Sequence, residues 1–372
     1  MKLRVCFIIP TLDQGGAEKQ ISLLARGLGQ ALDSDAFEAI VIVLTHTGPR
    51  EQELVESGIE IHHINKSSKL DPFAWFRLRK LLKELKPDIV HTWLFAANAY
   101  GRTAALSAKV PVILGSERSV DPWKNALQFW IDRFIAKRTQ GITANSQGTI
   151  DFYHTHGIDK KWFDLIPNGI EPLKPSGLSR EEACKQMGVS ADKRIILSIG
   201  RLWAQKGYKD LLWAAELLRV MREDICYVII GDGPDRERLE LFRDNIRGAS
   251  QIFFLGHRTD ATELLPHCDI LWNGSLYEGQ SNVILEAMQA GVAVVATNIP
   301  GNSELIEHDH TGLLYPLGNV DDLTRLSNQL LNDESRRQNL IANAKQHVMT
   351  VHSVEQMVTL HQNLYRQKVS KR

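Results

Sequence analysis

Short runs of β-branched and aliphatic residues recur along the chain, separated by longer segments whose apolar positions return every three or four residues. The runs at residues 4–9, 39–44, 59–64, 88–92, 110–114 and 141–144 read as strands, and the segments between them as amphipathic helices. The same rhythm restarts at 194–199, 226–230, 252–255, 269–272, 292–296 and 312–315. Strands that alternate with helices build a parallel sheet covered on both faces, so the pattern predicts an α/β protein of two such domains. The densest Pro/Gly cluster lies between them, Pro167-Asn168-Gly169-Ile170-Glu171-Pro172 followed by Lys174-Pro175-Ser176-Gly177, with the turn chemistry of a linker. Domains are expected at 1–170 and 171–350. A C-terminal helix and basic tail at 351–372 places Val354, Met357, Val358, Leu360 and Leu364 at helical spacing.

Composition agrees with two globular domains and removes other classes. The 372 residues carry 44 basic and 44 acidic side chains, so the formal charge is zero. Up to residue 170 there are 21 basic and 18 acidic residues, and beyond it 23 and 26, so neither half binds a nucleic acid by charge alone. No apolar run approaches the roughly 18 residues that cross a bilayer, and Pro10 interrupts the first apolar run too early for a signal peptide. The expected location is the cytoplasm. Cys6, Cys184, Cys226 and Cys268 form no CxxC pair and read as reduced core thiols.

Candidate chemistry sits in the loops after strands. Gly15-Gly16 follows the first strand and opens a helix, where backbone amides and the helix dipole favour an anion. The full GxGxxG of a dinucleotide site is absent. After the first strand of the second domain comes Gly200-Arg201-Leu202-Trp203-Ala204-Gln205-Lys206-Gly207, whose two cations can converge on one diphosphate. Gly231-Asp232-Gly233-Pro234 ends the next strand and starts a helix, a structural turn within reach of a ligand. The most informative segment runs from Ser275 to Met288. Glu278 lies in a loop, Gly279, Gln280, Ser281 and Asn282 lead into a helix, and Glu286 follows eight positions after Glu278 on a largely apolar helix. A carboxylate there requires donors, which sugar hydroxyls supply.

Together, the E-x7-E pair Glu278 and Glu286, Arg201 with Lys206-Gly207, the Gly231-Asp232-Gly233-Pro234 turn, the Gly15-Gly16 loop and the Pro167-Asn168-Gly169 hinge resemble the retaining family 4 glycosyltransferases. The likeness spans residues 5 to about 365, more strongly in the second domain. It implies the GT-B fold: two Rossmann-like domains with parallel sheets facing across a cleft, the C-terminal helix crossing back to the first. It further implies that the second domain holds a nucleoside diphosphate sugar, UDP-sugar favoured, and the first an acceptor. By this resemblance Arg201 and Lys206 hold the diphosphate and Glu286 the ribose. Glu278 with the amides of Gly279, Gln280 and Ser281 faces the sugar and distal phosphate, with Asn282 and Gly233 also on the donor. The Gly15 and Gly16 amides close over the diphosphate. Catalysis is assigned to Glu278, Arg201 and Lys206, with no metal and no cofactor. The implied product is a glycan or lipid-linked glycan for cell-surface polysaccharide, and retention implies front-face substitution with the departing phosphate oxygen taking the acceptor proton.

One loop departs from the family pattern. Where many members place a histidine after the fifth strand, this chain reads Gly115-Ser116-Glu117-Arg118-Ser119. Glu117 and Arg118 read either as sugar or acceptor contacts or as partners of each other. His91, at a strand end, reads equally as a ligand contact or as a satisfied structural histidine. The rival activities are a nucleotide-sugar epimerase or phosphorylase on the same fold, and a non-catalytic nucleotide-sugar binding protein. Asp33-Ser34-Asp35 matches a metal-binding DxD but reads as loop, and His62-His63 and His154-Thr155-His156 as ordinary histidines. The aromatic and basic segment 121–139 is expected to pack its aromatic stripe into the core. The alternative is a peripheral contact with the inner face of the cytoplasmic membrane. No obligate protein partner is indicated.

Overall fold

The computed structural model describes residues 2–30, 36–68, 71–173, 175–246 and 250–371. The Asp33-Ser34-Asp35 triplet lies outside the described residues. The chain forms two compact units, residues 1–171 with 352–372, and residues 172–351.

In the first unit the chain runs β1 (Leu3–Thr11), α1 (Gly16–Gln30), β2 (Phe37–His46), α2 (Arg50–Glu56), β3 (Glu60–His63), α3 (Pro72–Leu85), β4 (Ile89–Trp93), α4 (Leu94–Ala108), β5 (Val112–Glu117), α5 (Ala126–Ala136), β6 (Gly141–Ala144), α6 (Gln147–Thr155) and β7 (Phe163–Leu165). The seven strands form a parallel sheet in the order β3-β2-β1-β4-β5-β6-β7. Successive residues of β1 point to opposite faces. Val5, Phe7 and Ile9 pack with α1, while Cys6 and Ile8 pack with α3 and α4.

The second unit contains α7 (Arg180–Met187), β8 (Arg194–Ile199), α8 (Tyr208–Met221), β9 (Ile225–Ile230), α9 (Arg236–Asn245), β10 (Ile252–Phe254), α10 (Ala261–Leu264), β11 (Ile270–Asn273), α11 (Asn282–Ala290), β12 (Ala293–Thr297), α12 (Pro300–Ser303), β13 (Leu313–Tyr315), α13 (Val320–Asn332) and α14 (Glu334–Val351). Its six strands are also parallel, in the order β10-β9-β8-β11-β12-β13. All twelve expected strands are present, and β7 is an additional three-residue edge strand.

The last helix, α15 (Val354–Ser370), belongs to the first unit. It buries Met357, Val358, Leu364 and Tyr365 in the core that α1 covers, each worth about 1.5–3 kcal/mol of apolar burial. Leu360, expected on that apolar face, is exposed instead, and His361 takes an inward place. Lys368 anchors the far end to Asp164 at 2.8 Å. The Pro/Gly segment is bound into the same unit as far as Glu171. Gln20 exchanges two hydrogen bonds with the Gly169 backbone, at 2.8 and 2.9 Å, and the Ile170 N–H donates to the His352 carbonyl at 2.8 Å.

Candidate active site

The carboxyl ends of β9, β8 and β11 are neighbours on one edge of the second sheet, and the loops leaving them carry most of the residues singled out above. Leu202 N–H donates to the Asp232 carbonyl at 2.9 Å and Asp235 N–H to the Leu202 carbonyl at 3.1 Å, joining the loop after β8 to the loop after β9. At Gly231, with φ +148°, a Cβ would overlap the Gly200 carbonyl. At Gly207, with φ +64°, a Cβ would overlap the Gly274 carbonyl. Both positions therefore require glycine for close backbone approach as well as for conformation.

The contact at Gly207 sets up the central pair. Leu276 N–H donates to the Gln205 carbonyl at 2.8 Å, and Gln205 Nε2 donates to the Tyr277 carbonyl at 2.9 Å. These bonds bring Lys206 to Glu278, where Nζ donates to Oε1. The same oxygen accepts from Ser275 Oγ at 2.8 Å. The Glu278 side chain is only 10% exposed. Arg201 stands apart from this trio: it is exposed, with its guanidinium 4.5 Å from the centre of the Trp203 ring.

Gly279, Gln280 and Ser281 are buried and lead into α11 at Asn282. Ser281 occupies the N-cap position without capping the helix, and its Oγ instead receives Asn273 Nδ2 at 3.3 Å. The helices α8 and α9 likewise begin without side-chain caps, whereas Ser179 caps α7 and Asn319 caps α13. An uncapped helix start presents N–H donors and the positive end of the dipole to an anion. Glu286 is half-buried on α11, between the buried Leu285 and Ala287.

Sequence reading missed the polar layer beneath this loop. Asn273 Oδ1 accepts from Ser275 N–H and from Asn302 Nδ2, both at 3.2 Å, and Thr297 Oγ1 donates to the Ser275 carbonyl at 2.6 Å. The available signal was a polar residue closing an otherwise apolar strand, Asn273 in β11 and Thr297 in β12. Gly233, expected among the donor contacts, has its N–H taken by Asp232 Oδ1 at 2.7 Å, and Arg236 holds that carboxylate at 3.0 Å. Its observed part is in the packing of the loop.

In the first unit, Gly15 and Gly16 do lie between β1 and the first turn of α1. The Glu18 carboxylate folds back into the space a side chain at residue 15 would take, and accepts from Thr11 Oγ1 at 3.3 Å. Burial pushes its pKa up. His91 is the structural histidine. It is fully buried, Nδ1 lies 2.8 Å from Tyr365 Oη and Nε2 lies 3.1 Å from Thr143 Oγ1, so both ring nitrogens are occupied inside the unit.

Glu117 and Arg118 do not pair with each other. Glu117 turns inward because it closes β5 beside a buried cation. It accepts from Asn98 Nδ2 at 2.9 Å and Tyr153 Oη at 2.8 Å, and lies 3.6 Å from Lys124 Nζ. Lys124 also meets Asp132 at 3.0 Å and Asp121 at 3.2 Å. Burial raises the Glu117 pKa to about 7 against the pull of Lys124. The contacts observed for this carboxylate are therefore structural ones inside the unit. Arg118 donates to Asn168 Oδ1 and stacks 4.7 Å from the Trp93 ring centre. Its Nε and Nη1 are buried without a partner, and burial lowers its pKa to about 9.

Residues 14–172 match the family described as Glycosyltransferase Family 4, and residues 179–347 the family described as Glycosyl transferases group 1. The chain belongs to glycosyltransferase family 4. It is 29% identical over 260 residues to the UDP-Gal:alpha-D-GlcNAc-diphosphoundecaprenol alpha-1,3-galactosyltransferase of Escherichia coli, a stretch spanning 66% of each chain. It is 28% identical over 359 residues, 92% of this chain and 93% of the other, to a Campylobacter jejuni alpha-1,4-N-acetyl-D-galactosaminyltransferase whose name gives a PP-undecaprenol-linked substrate. Among solved structures, Anabaena HepE in complex with UDP-glucose superposes with TM-score 0.87 at 22% identity over 100% of both chains. A glycosyltransferase from Rickettsia africae superposes with TM-score 0.85 at 22% identity, again over 100% of both. These likenesses carry the GT-B fold of two Rossmann-like halves.

Within this glycosyltransferase the loops after β8 and β11 bring a cation, a carboxylate and an uncapped helix start to one place, as recognition of a phosphate next to a polyol requires. Among the described residues, no three His, Cys, Asp or Glu side chains gather in an arrangement that can hold a metal ion.

Proposed function

We propose that this family 4 glycosyltransferase moves a sugar, with retention, from a UDP-sugar to a hydroxyl of a lipid-diphosphate-linked glycan in polysaccharide synthesis. The observation that carries the reading is the Lys206–Glu278–Ser275 cluster beside the uncapped start of α11. Support for the lipid-linked acceptor is the naming of both relatives above, and support for UDP is the UDP-glucose in the Anabaena HepE structure.

In this reading Arg201 and Lys206 meet the diphosphate, Glu286 takes the ribose hydroxyls, and Glu278 with the amides of Gly279, Gln280, Ser281 and Asn282 takes the sugar and distal phosphate. The bond from the anomeric carbon to the phosphate oxygen breaks, and its electron pair leaves with UDP. The acceptor oxygen bonds to that carbon on the same face, and its proton passes to the departing phosphate oxygen. Negative charge grows on the diphosphate, where preorganised cations and amides stabilise it without a metal ion. The first unit selects the acceptor, and the two buried, unpartnered nitrogens of Arg118 make it that unit's candidate for an anionic ligand group.

The test is thermal stabilisation by UDP, GDP, ADP and NAD, each with EDTA and with magnesium, since a ligand bound by the folded state alone raises Tm. A shift with UDP that survives EDTA is expected. A shift with NAD alone, or only with magnesium, overturns the reading.

A further inference from the structure

The helices α3, α4 and α5 lie side by side on the first unit. Trp75 Nε1 donates to Thr103 Oγ1 at 3.1 Å and Arg79 Nε to Ser107 Oγ at 2.8 Å, joining α3 to α4. Arg102 meets Asp132 at 3.5 Å, joining α4 to α5. Their inward faces are well covered: Ala74, Leu78 and Leu82 on α3, Ala97, Ala104 and Ala105 on α4, and Phe129, Ile135 and Ala136 on α5.

A second set of large apolar side chains points outward. On α5 Leu127, Trp130 and Phe134 are 63%, 54% and 43% exposed, and Trp123 just before the helix is 56% exposed. On α3 Phe73 and Phe76 are 74% and 60% exposed. The expectation that segment 121–139 packs its aromatic stripe into the core thus holds for Phe129 and not for Trp123, Trp130 and Phe134. Trp130 and Phe134 stack on each other at 5.4 Å, and Trp123 stands edge-on to Phe95 at 5.8 Å. Scattered exposed apolar residues need no explanation, but six of this size on one helical layer mark a docking surface.

The charges around them select the occupant. Arg77, Lys80 and Lys83 on α3 and Lys137 and Arg138 behind α5 are exposed, and the Arg138 guanidinium lies 3.4 Å from the Phe134 ring centre. The acids on and beside these two helices are Glu84, paired with Lys80 at 3.8 Å, Asp71, 3.6 Å from Arg77, and Asp121 and Asp132, both within 3.2 Å of Lys124. The whole chain has 44 basic and 44 acidic residues, so the positive field belongs to this face and not to the molecule at large. Lysine is depleted in protein–protein interfaces, whereas aromatic rings flanked by Lys and Arg suit the headgroup level of an anionic bilayer. No described helix is long and apolar enough to cross a membrane, so the contact is interfacial.

We propose that the outer face of α3 and α5 docks on an anionic lipid surface. The proposal rests on the reading of a lipid-linked acceptor and specifies how the enzyme reaches it. The full chain is sedimented with vesicles of phosphatidylglycerol and phosphatidylcholine, and with phosphatidylcholine alone. Binding is expected to the mixed vesicles and to weaken as salt rises. Trp130→Ser with Phe134→Ser, and separately Lys137→Glu with Arg138→Glu, are each expected to lower that binding about tenfold or more. Trp213→Ser, on an exposed position of the second unit, leaves it unchanged. Unaltered Tm and unaltered transfer to a detergent-solubilised prenyl-diphosphate sugar show that the variants fold. Absence of vesicle binding, or equal binding by all variants, overturns the docking surface. So does light scattering that finds a dimer which Trp130→Ser dissociates, since the face is then a contact between copies. Failure of the wild type to use the detergent-solubilised acceptor sinks the acceptor reading instead, whatever the vesicles show.

Discussion

Lys206 donates to Glu278, and the oxygen it reaches also takes the Ser275 hydroxyl. The cation assigned to the diphosphate and the carboxylate assigned to the sugar are therefore joined before either meets a ligand. On the proposed reading, a diphosphate at Lys206 would compete with Glu278 for the ammonium.

Glu278→Ala is expected to leave UDP affinity within a few-fold, because it removes a competitor of the nucleotide along with a positioning partner of Lys206. Transfer falls by roughly 10²-fold or more, the scale of losing one preorganised electrostatic contact. Calorimetric titration with UDP beside initial rates separates the two effects. An equal loss in both moves Glu278 into the nucleotide pocket.

Arg201→Ala combined with Lys206→Ala removes both cations proposed for the diphosphate. UDP binding is expected to weaken by about 2–5 kcal/mol, as truncated charge-assisted contacts do. The Tm gain with UDP should shrink accordingly, and undiminished affinity disproves the diphosphate assignment.

Lys124 is enclosed by Glu117, Asp121 and Asp132, with its side chain 0% exposed. Desolvation pulls its pKa down, and the three carboxylates outweigh that and raise it. Lys124→Met leaves buried acids without their cation and is expected to cost about 3–5 kcal/mol in urea unfolding. Adding Glu117→Gln should restore part of the loss, since the two sites are coupled.

Acid should destabilise the first unit. Burial holds His91 well below its ordinary pKa and His361 down to about 3, so both stay neutral in the fold. Unfolding lets each take a proton below about pH 6.5, and stability falls as pH drops from there toward the folded values. Glu117 works in the opposite sense. Its folded pKa of about 7 exceeds that of the unfolded chain, so its penalty fades as pH falls. The two imidazoles that gain protons on unfolding oppose the one carboxyl that releases its proton, and the balance of these groups lowers stability as pH falls below about 6.5. Denaturant midpoints across that range should fall for the wild type and change less in His361→Gln; parallel slopes contradict the assignment.

The strands and their division between two units were legible because buried parallel strands write themselves as β-branched runs, as at 39–44 and 226–230. β7 escaped because its three residues, Phe163–Leu165, form an edge with no buried position. Orientation was the harder problem. Segment 121–139 has apolar residues on two sides of one helix, and periodicity alone does not say which side meets the core. The ends of β4 and β5 pose the same difficulty. A polar residue in the second half of a strand or in the loop beyond it reads alike whether it faces a ligand or a buried partner, and His91 and Glu117 have buried partners. For Glu117 the partner, Lys124, lies seven positions on in an unremarkable stretch, and for His91 it is Tyr365 at the far end of the chain.

The return of α15 sets an order on synthesis. His91 acquires its Tyr365 partner across 274 positions, and Ile170 receives the His352 carbonyl only after the second unit has been made. A ribosome that has delivered the first 171 residues has therefore made a sheet whose α1 side still lacks Met357, Val358, Leu364 and Tyr365. That half leaves the exit tunnel unfinished and must wait, with apolar surface uncovered, until the final helix arrives, so a prematurely ended chain announces itself to proteases and chaperones by its bare core.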